Sequence, residues 1–309
     1  MKVSVLGAGR WGSTIAWLQN QQKRQVILWN QEDEFLKEWQ VKRKNSFLSL
    51  PKKVKITSDL NLALTSEVIF ISIRAQEFRN LCQNLKDLEV KNKLFILAMK
   101  GLEMKTGKRL SEIFYEYLDK SNNVGMLAGP GHPQELTKNV PTLMTCAVAK
   151  KKDLARAVKY CQTDLMRVEQ TDDLLGVEIS SALKNVMGIV GGLFFGLGLD
   201  SLKGYLIVKG PEETARLIKA MKGKPLTAYG PAHLGDYAAT VFSPYSRNHQ
   251  VGEDFARTGK LGDAEGVPTI TAVQKLIKKY KVKMPICEGI YQVFYKGLRP
   301  EKFVKRMFK

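Results

Sequence analysis

A glycine-rich hexapeptide near the N-terminus has residue types and a spacing that can bind phosphate groups. Residues 7–12 read Gly-Ala-Gly-Arg-Trp-Gly. In a G-x-G-x-x-G turn, Gly7 allows a tight turn, Gly9 lets the backbone approach a pyrophosphate, and Gly12 lets the following helix pack closely on the preceding strand. The helix N-terminus then presents free N–H groups and a positive dipole end to the phosphates. The hexapeptide therefore predicts a dinucleotide site, with residues 9–12 against the pyrophosphate.

The segments around the hexapeptide are those that such a site requires. A β-branched run over residues 2–6 precedes it, a helical pattern extends from Ser13 to Asn20, and a second strand is predicted over residues 25–29. This context matters because the hexapeptide alone is a weak signal. Arg10 and Trp11 lie inside the turn and are therefore counted among the cofactor-binding residues.

The end of the second predicted strand leaves the choice of cofactor open. An NAD enzyme usually carries an acidic residue there to hold the ribose 2′-hydroxyl, whereas an NADP enzyme supplies a cation. This chain has Asn30 and Gln31, then Glu32, with no acid at the usual place and no Arg or Lys directly after it. We therefore expect NAD or NADP, bound near Asn30 and Gln31.

Two lysines have positions suited to proton transfer. Lys184, followed by Asn185, lies on the polar edge of an otherwise apolar helical pattern. Such a lysine either extends to solvent or is desolvated, and desolvation lowers its pKa toward the range useful for proton transfer. Lys100 comes just after a predicted strand over residues 94–98, where doubly wound folds bind ligands. A second lysine at a predicted ligand-binding position favours a catalytic role for Lys184 over an extension of its side chain to solvent.

A polar segment in the second half of the chain suits a phosphate group. Gly235-Asp236 is followed by Ser246-Arg247-Asn248. Arginine offers a planar fork of donors and asparagine adds an amide donor, so the pair can bind phosphate oxygens. We therefore expect a small phosphorylated substrate.

Strand and helix patterns alternate in the first half of the chain, which is typical of a parallel, doubly wound sheet. The predicted strands lie over residues 2–6, 25–29, 68–73, 94–98, 126–128 and 142–148. Beyond residue 172 helical patterns replace them, over residues 174–197, 211–221, 246–258, 267–280 and 286–295. The sequence therefore predicts an α/β fold: a Rossmann-type doubly wound parallel sheet in an NAD(P)-binding domain (residues 1–172), followed by an all-α C-terminal substrate domain (residues 173–309).

Composition narrows the class of protein further. With 309 residues, 44% of them hydrophobic, the chain can build the cores of two domains. The net charge of +19 comes from scattered residues, without the arginine-rich, aromatic-interleaved block of a nucleic-acid surface. Four cysteines and three histidines show no spacing typical of a metal site or disulfide framework.

The sequence also shows neither the pattern of a signal peptide nor that of a membrane span. The N-terminal apolar run is too short for a signal peptide, and the longest apolar run, residues 186–199, is shorter than the roughly 20 residues of a membrane span. We therefore expect a cytoplasmic protein with no metal, no nucleic-acid partner and no membrane span. Assembly as a homodimer is compatible with the sequence, which does not decide it.

Taken in order, these segments resemble the NAD(P)-dependent glycerol-3-phosphate dehydrogenase family. The resemblance runs from residue 3 to about residue 297, and no single stretch is decisive, but the joint order is specific. The matching stretches are Gly7-Ala-Gly-Arg-Trp-Gly-Ser-Thr, Lys100-Gly-Leu-Glu, Ala128-Gly-Pro, Gly176-Val, Ala182-Leu-Lys-Asn-Val, Gly235-Asp, Ser246-Arg-Asn, Glu265-Gly-Val, Met284-Pro-Ile and Ile290-Tyr-Gln-Val.

The resemblance implies an oxidoreductase that transfers hydride between NAD(P)H and dihydroxyacetone phosphate, giving sn-glycerol 3-phosphate for glycerophospholipid synthesis. It implies that Lys184 exchanges the proton at the C2 oxygen, that Lys100 helps to hold substrate and cofactor, and that Asp236 orients Lys184 and binds substrate. The other implied substrate-binding residues are Gly129, Asn185, Ser246, Arg247 and Asn248, the last two at the phosphate. The other implied cofactor-binding residues are Pro133, Arg247 and Glu265.

Two segments depart from the family pattern. Members usually carry, after a Gly-Pro pair, a hydroxyl residue that contacts the substrate; this chain has Gly131, followed by His132, which is either a substrate contact or a surface histidine. A segment that usually reads like Gly-Ala-Asn-Ala-Arg is Leu-Asp-Ser-Leu-Lys, residues 199–203. These changes leave the reaction type intact and put the exact substrate in question.

Two alternatives therefore remain beside the leading hypothesis. One is a related dehydrogenase acting on a different hydroxy acid or phosphorylated ketone. The other is a nucleotide-sensing or nucleic-acid-binding module, against which the set of Lys100, Lys184 and Asp236 argues, because a sensor needs no proton donor.

Overall fold

The computed structural model describes residues 1–242 and 246–308. The chain divides into two compact units, Met1–Met99 with Ser111–Leu174, and Lys100–Leu110 with Leu175–Lys309. The sequence predicted one boundary, at about residue 172, and gave no signal for the separate segment Lys100–Leu110. The domain limits stated above stay a prediction.

The first unit is built on one sheet, with eight strands among the described residues, in the order β3-β2-β1-β4-β5-β6-β7-β8. The strands are β1 (Lys2–Leu6), β2 (Gln25–Trp29), β3 (Lys55–Thr57), β4 (Val68–Ile71), β5 (Leu94–Leu97), β6 (Asn123–Ala128), β7 (Thr142–Val148) and β8 (Met166–Thr171). The strand order reverses between β1 and β4, which is the switch point where doubly wound sheets bind ligands at the carboxyl ends of their strands.

Apolar runs form the central strands. Every residue of β4 and β5 is buried, as expected where both faces of a parallel sheet are covered. The six predicted strands are confirmed. The prediction missed β3, which has three residues, and β8, whose polar sequence Met-Arg-Val-Glu-Gln-Thr forms a largely exposed edge strand. Neither segment has the continuous apolar run on which the prediction relied.

The sheet is not wholly parallel, and the prediction was wrong for one pair. β6 and β7 run antiparallel, with Gly125 opposite Val148 and Ala128 opposite Thr145. A parallel return needs a long crossover, usually a full helix. The connection from β6 to β7 contains only a four-residue helix, Pro133–Leu136, and brings the chain back antiparallel. β7 and β8 are parallel again, since a full helical connection joins them.

The helices of the first unit pack their apolar sides on this sheet. They are α1 (Arg10–Gln21), α2 (Glu34–Lys42), α3 (Leu60–Ala63), α4 (Phe78–Asp87), α5 (Leu110–Tyr117), α6 (Pro133–Leu136) and α7 (Leu154–Cys161). Ile15 and Leu18 of α1 share a core with Val3, Val5 and Phe70 of the sheet.

The second unit is helical in its described residues, as predicted. Its helices are α8 (Leu174–Gly196), α9 (Leu202–Ala220), α10 (Asp236–Val241), α11 (Arg247–Thr258), α12 (Gly266–Tyr280), α13 (Pro285–Tyr295) and α14 (Pro300–Met307). A 3₁₀ turn over Pro225–Tyr229 and a π-helical turn over Pro231–Gly235 lie between α9 and α10.

Helix α8 is the centre of the second unit, and its glycines allow another helix to approach closely. A Cβ on Gly192 would lie 1.9 Å from the carbonyl oxygen of His249 in α11. A Cβ on Gly252 of α11 would lie 1.9 Å from the carbonyl oxygen of Ile189. No side chain fits at either position, so these glycines let the backbones of α8 and α11 approach closely.

Helix α8 has the length and composition of a membrane span, although the apolar run identified in the sequence was shorter. Of its most apolar window, 89% is buried inside the protein. This is the burial of a core helix in a globular unit.

Helix α9 begins earlier than predicted. The predicted helical pattern began at Pro211, a residue type that is favoured in the first turn of a helix. The helix instead begins at Leu202 and contains Pro211 in its interior. Leu206 and Leu217, on either side of the proline, are both fully buried in the core of the unit. This packing stabilises the helix through the position where proline removes a backbone donor.

The segment Lys100–Leu110 is anchored to the second unit by two side-chain contacts and by the close approach of its backbone to α12. Leu102 is fully buried in its hydrophobic core. Arg109 donates to Glu178 of α8 at 2.6 Å, and the glutamate is almost completely buried. Gly107 has a φ of +76°, and a Cβ there would lie 3.2 Å from the backbone of α12. These contacts fix the segment that begins with Lys100.

Candidate active site

The glycine turn of the first unit owes its shape to two glycines. Gly7 has a φ of +104°, and a Cβ there would lie 2.2 Å from the carbonyl oxygen of Ser72, directly after β4. Its N–H donates to the carbonyl of Trp29 at 2.8 Å. A Cβ on Gly12 would lie 1.9 Å from the Gly7 carbonyl oxygen. Gly7 and Gly12 are therefore required by the fold itself.

Gly9 has no such internal cause. It is exposed, precedes α1 with an extended backbone, and a Cβ there would meet no atom outside its immediate neighbours within 4 Å. The fold tolerates a side chain at this position. A side chain here would, however, block the close approach of a pyrophosphate to the backbone. The turn thus fits a dinucleotide: α1 starts with free N–H groups and has no acidic residue in its first turn.

The predicted ribose-binding residues have two different positions. Asn30 supports the glycine turn, since its side-chain oxygen accepts a hydrogen bond from the Ala8 N–H at 3.1 Å. Gln31 is exposed. Asp33 caps α2 by accepting from the Leu36 N–H at 2.7 Å, and its other carboxylate oxygen lies 3.5 Å from the Asn30 amide nitrogen. Arg10 is exposed, with its guanidinium 5.9 Å from the centre of the Phe47 ring.

The departure at Gly131 has a steric counterpart in Trp11. A Cβ at Gly131 would lie 2.8 Å from Cη2 of the Trp11 ring and 3.2 Å from the Met144 sulfur. The indole occupies the space that a hydroxyl side chain would need. His132 lies outside this contact, with Nδ1 3.7 Å from the Glu135 carboxylate.

The predicted residues beside Gly131 also have defined places. Gly129 has a φ of +155°, and a Cβ there would lie 2.9 Å from the β7 backbone, so glycine is required. Pro133 is the first residue of α6.

The second unit brings three predicted catalytic residues together at Asp236. Lys184 on α8 donates to one carboxylate oxygen of Asp236 at 2.9 Å, and Lys100 donates to the other. Only 3% of the Asp236 side chain and 10% of the Lys184 side chain are exposed. Lys100, Asp236 and Lys184 are named here the lysine cluster, in which two ammonium groups share one carboxylate.

The charges of the lysine cluster determine its protonation. Burial alone would raise the pKa of Asp236, but the ammonium groups of Lys100 and Lys184 hold that pKa below its ordinary value. Burial lowers the pKa of Lys100 to about 8, against the opposing effect of Asp236, and the positive charge of Lys184 lowers it further. Lys100 therefore exchanges its proton near pH 8, within the range that general acid–base chemistry uses.

Thr240 is a fourth member of the site that the sequence did not single out. Its hydroxyl accepts from the Lys184 ammonium at 3.1 Å and donates to the Asp236 carbonyl at 2.8 Å. The available signal was spacing, because residues four apart share one face of a helix. Lys184 is thus oriented by a carboxylate and a hydroxyl from successive turns of α10.

The remaining predicted residues form a second polar group in the same unit. The Asn248 amide donates to Asn185 at 3.1 Å, and its oxygen accepts from the Gly266 N–H at 2.9 Å. Glu265 is the exposed residue directly before α12. Asn248 therefore joins α8, α11 and the start of α12.

Ser246 and Arg247 begin α11. The Ser246 hydroxyl caps the helix by accepting from the His249 N–H at 3.3 Å, and Arg247 is exposed in the first helical position. A guanidinium beside the positive end of a helix dipole suits an anion.

No group of three or more His, Cys, Asp or Glu side chains able to hold a metal ion is found in residues 1–242 and 246–308.

Comparison with known proteins identifies the family. Models of the N-terminus and C-terminus of NAD-dependent glycerol-3-phosphate dehydrogenase match residues 2–154 and 173–305. The chain belongs to this family of oxidoreductases. It is 32% identical to the glycerol-3-phosphate dehydrogenase (NAD(P)+) of Chlorobium limicola, over 96% of this chain and 94% of that protein. With the enzyme of the same name from Thermotoga sp. the identity is 35%, over 100% of this chain and 97% of that protein.

A solved structure agrees with this assignment. The crystal structure of glycerol-3-phosphate dehydrogenase from Coxiella burnetii matches with a TM-score of 0.91 and 25% sequence identity. The match covers 100% of this chain and 98% of that one. The predicted family and fold class are confirmed.

The glycine turn generates a prediction about cofactor affinity. Gly9→Val is expected to fold normally, since a Cβ has free space, but to weaken dinucleotide binding by roughly tenfold or more, or about 1.4 kcal/mol. Titration of NADH fluorescence measures the affinity. Gly204→Ala, at another glycine whose Cβ would meet nothing within 4 Å, is the matched control and should bind normally. A folded Gly9→Val protein with wild-type affinity would contradict the assignment.

Proposed function

We propose that the protein catalyses reversible hydride transfer between NAD(P)H and dihydroxyacetone phosphate, giving sn-glycerol 3-phosphate. The observation that carries this proposal is the lysine cluster: a buried and a partly buried ammonium group on one buried carboxylate, in a chain of this dehydrogenase family. The proposed place is the cytoplasm, and the proposed use of the product is glycerophospholipid synthesis.

Lys184 is the proposed proton donor. Reduction of a ketone puts negative charge on the C2 oxygen, and that oxygen must gain a proton to become a hydroxyl. A bound reduced nicotinamide supplies the hydride. Lys184 is buried, lies on the rigid central helix and is held by Asp236 and Thr240, so its ammonium has a fixed direction. In the reverse direction the neutral amine accepts the proton.

Lys100 has an electrostatic role beside it. The lysine cluster carries one net positive charge when both ammonium groups are protonated, and preorganised charge in a buried site stabilises a developing alkoxide. Asp236 keeps both ammonium groups in place. The segment Lys100–Leu110 is anchored by Leu102 and Arg109, so Lys100 does not depend on a free loop for its position.

The proposal is tested by steady-state oxidation of NADH and NADPH in the presence of dihydroxyacetone phosphate, with dihydroxyacetone and a 2-keto acid as comparison substrates. Clear preference for the phosphorylated ketone supports it. Preference for the keto acid would instead support the alternative function, a related dehydrogenase that acts on a different hydroxy acid. The relative rates with NADH and NADPH decide the cofactor preference, which the residues after β2 leave open.

Replacement of the proton donor should remove most of the activity. Lys184→Ala is expected to lower kcat for reduction by about 10²-fold or more, the usual contribution of a general acid, with NADH affinity unchanged. Stopped-flow turnover and NADH titration measure the two quantities. Lys159→Ala, at an exposed lysine of α7, is the control and should keep wild-type turnover. A Lys184→Ala enzyme with a third of wild-type turnover would exclude this role.

The lysine cluster also predicts a pH dependence with a defined sign. Reduction needs the positive charge of Lys100 beside the developing alkoxide. The value of kcat/KM for dihydroxyacetone phosphate should therefore fall as the pH rises through about 8, where Lys100 loses its proton. Lys100→Arg keeps the charge but does not titrate in this range, so the fall should move to higher pH. An unchanged alkaline limb in Lys100→Arg would show that Lys100 is not the titrating group.

Phosphate recognition is assigned to Arg247. Its fork can make two parallel charge-assisted bonds that lysine cannot copy, and hydrogen bonds to charged groups contribute about 1.5–3 kcal/mol each. Arg247→Lys should therefore raise the KM for dihydroxyacetone phosphate by roughly tenfold and leave dihydroxyacetone unaffected. NADH affinity is measured in parallel, because Arg247 is also an implied cofactor contact. Equal changes for both substrates would refute the phosphate role.

A further inference from the structure

His233 is a buried titratable side chain that the mechanism above does not use. It is fully buried, with Nδ1 2.8 Å from the carbonyl oxygen of Ser180 and Nε2 3.0 Å from the hydroxyl of Thr214. Burial lowers the pKa of His233 to about 4, so the ring is neutral near neutral pH. A carbonyl only accepts, so Nδ1 carries the hydrogen and donates to Ser180, while Nε2 accepts from Thr214.

The two partners connect His233 with the lysine cluster. Ser180 lies one turn before Lys184 on α8, and His233 lies three residues before Asp236. Thr214 belongs to α9. The imidazole therefore joins the helix that carries one member of the lysine cluster to the segment that carries another, with α9 as a third support.

That segment has an unusual backbone. Pro231–Gly235 forms a π-helical turn, in which the Gly235 N–H donates to the Gly230 carbonyl at 3.3 Å. Such turns are rare and often occur at functional sites. The ring of His233 stacks on that of Tyr237, with centroids 5.8 Å apart and an angle of 19° between the planes. The stack spans the junction between the π turn and α10, with Asp236 between the two aromatic residues.

We propose that His233 is a positioning residue: its two hydrogen bonds fix the π turn against α8 and α9, and thereby fix how the Asp236 carboxylate is shared between Lys184 and Lys100. The effect of His233 on turnover rests on the proposed function. Its effect on the position of the Asp236 carboxylate does not. The charged groups near the ring are Asp236 and Lys184, and Asp236 is the one attached to the segment that His233 holds.

Three substitutions separate the parts of this role. His233→Ala removes both hydrogen bonds. His233→Asn keeps an N–H near the Nδ1 position and should restore the bond to Ser180. Thr214→Val removes only the donor to Nε2 without changing the shape of the side chain. Glu213→Ala is the matched control for a destabilised second unit, because its buried carboxylate caps α13 through the Ile286 and Cys287 N–H groups and has no contact with the lysine cluster.

The decisive measurement does not depend on turnover. Lysine side-chain NMR, with the Lys100 signal assigned by its loss in Lys100→Arg, gives the titration of Lys100 in each protein. His233→Ala should move that midpoint by about half a pH unit or more, since a carboxylate that shifts changes the interaction energy of its partners. Glu213→Ala should lower the melting temperature and leave the midpoint in place. An unmoved midpoint in folded His233→Ala protein would overturn the proposal.

Kinetics supply the second readout. His233→Ala should lower kcat by about tenfold, the scale expected when a catalytic group is displaced by less than 1 Å, with the KM for NADH unchanged. His233→Asn should recover most of that loss. If His233→Ala and Glu213→Ala have the same kcat at equal melting temperature, the role of His233 is stability alone. If the wild-type protein does not reduce dihydroxyacetone phosphate, the proposed function fails, and the NMR titration still decides the positioning role.

Discussion

The carboxylate of Asp236 is the interaction on which the site of the second unit depends. A buried carboxylate is costly unless it is paired and hydrogen-bonded, and Asp236 is paired with two ammonium groups. The dependence is mutual. Leu183 and Val186, beside Lys184 on α8, are completely buried, and a buried ammonium group in such surroundings needs a counter-ion. Without Asp236, the ammonium groups of Lys100 and Lys184 would lose the counter-ion that they share.

The backbone geometry that holds this pairing comes from small residues. A Cβ on Gly188, one turn after Lys184, would lie 2.9 Å from the Thr240 methyl group, so the glycine makes room for the residue whose hydroxyl orients the lysine. Gly266 has the same relation to Asn248, whose side-chain oxygen would lie 2.8 Å from an added Cβ. The glycines of α8 and of the start of α12 therefore determine which polar groups can meet. A packing requirement and a catalytic arrangement are met by the same residues.

The sequence was sufficient to predict those elements whose structure depends on a pattern of neighbouring residues. The buried strands β1, β2, β4 and β5, the glycine turn and the core helix α8 each have such a pattern. The direction of β7 depends on the path of a connection, and the start of α9 depends on packing that overrides the preference of Pro211. Lys100 was found from its position after β5, whereas the membership of its segment in the second unit depends on distant contacts such as that of Leu102. His233 was missed because its partners are far away in the sequence, and Thr240 because only its spacing from Asp236 indicated it.

Gly131, where the chain departs from the expected family pattern, has to be considered together with Trp11, whose ring lies beside it. The resemblance led us to expect a hydroxyl residue there, and the chain has Gly131. The Trp11 indole explains why a return to serine is not a single step: the added Cβ would lie 2.8 Å from a rigid ring packed in the first unit. Trp11 is the second residue of α1, the helix whose N-terminus is assigned to the cofactor phosphates. The two positions are therefore coupled through volume, and the glycine has to be interpreted together with the tryptophan.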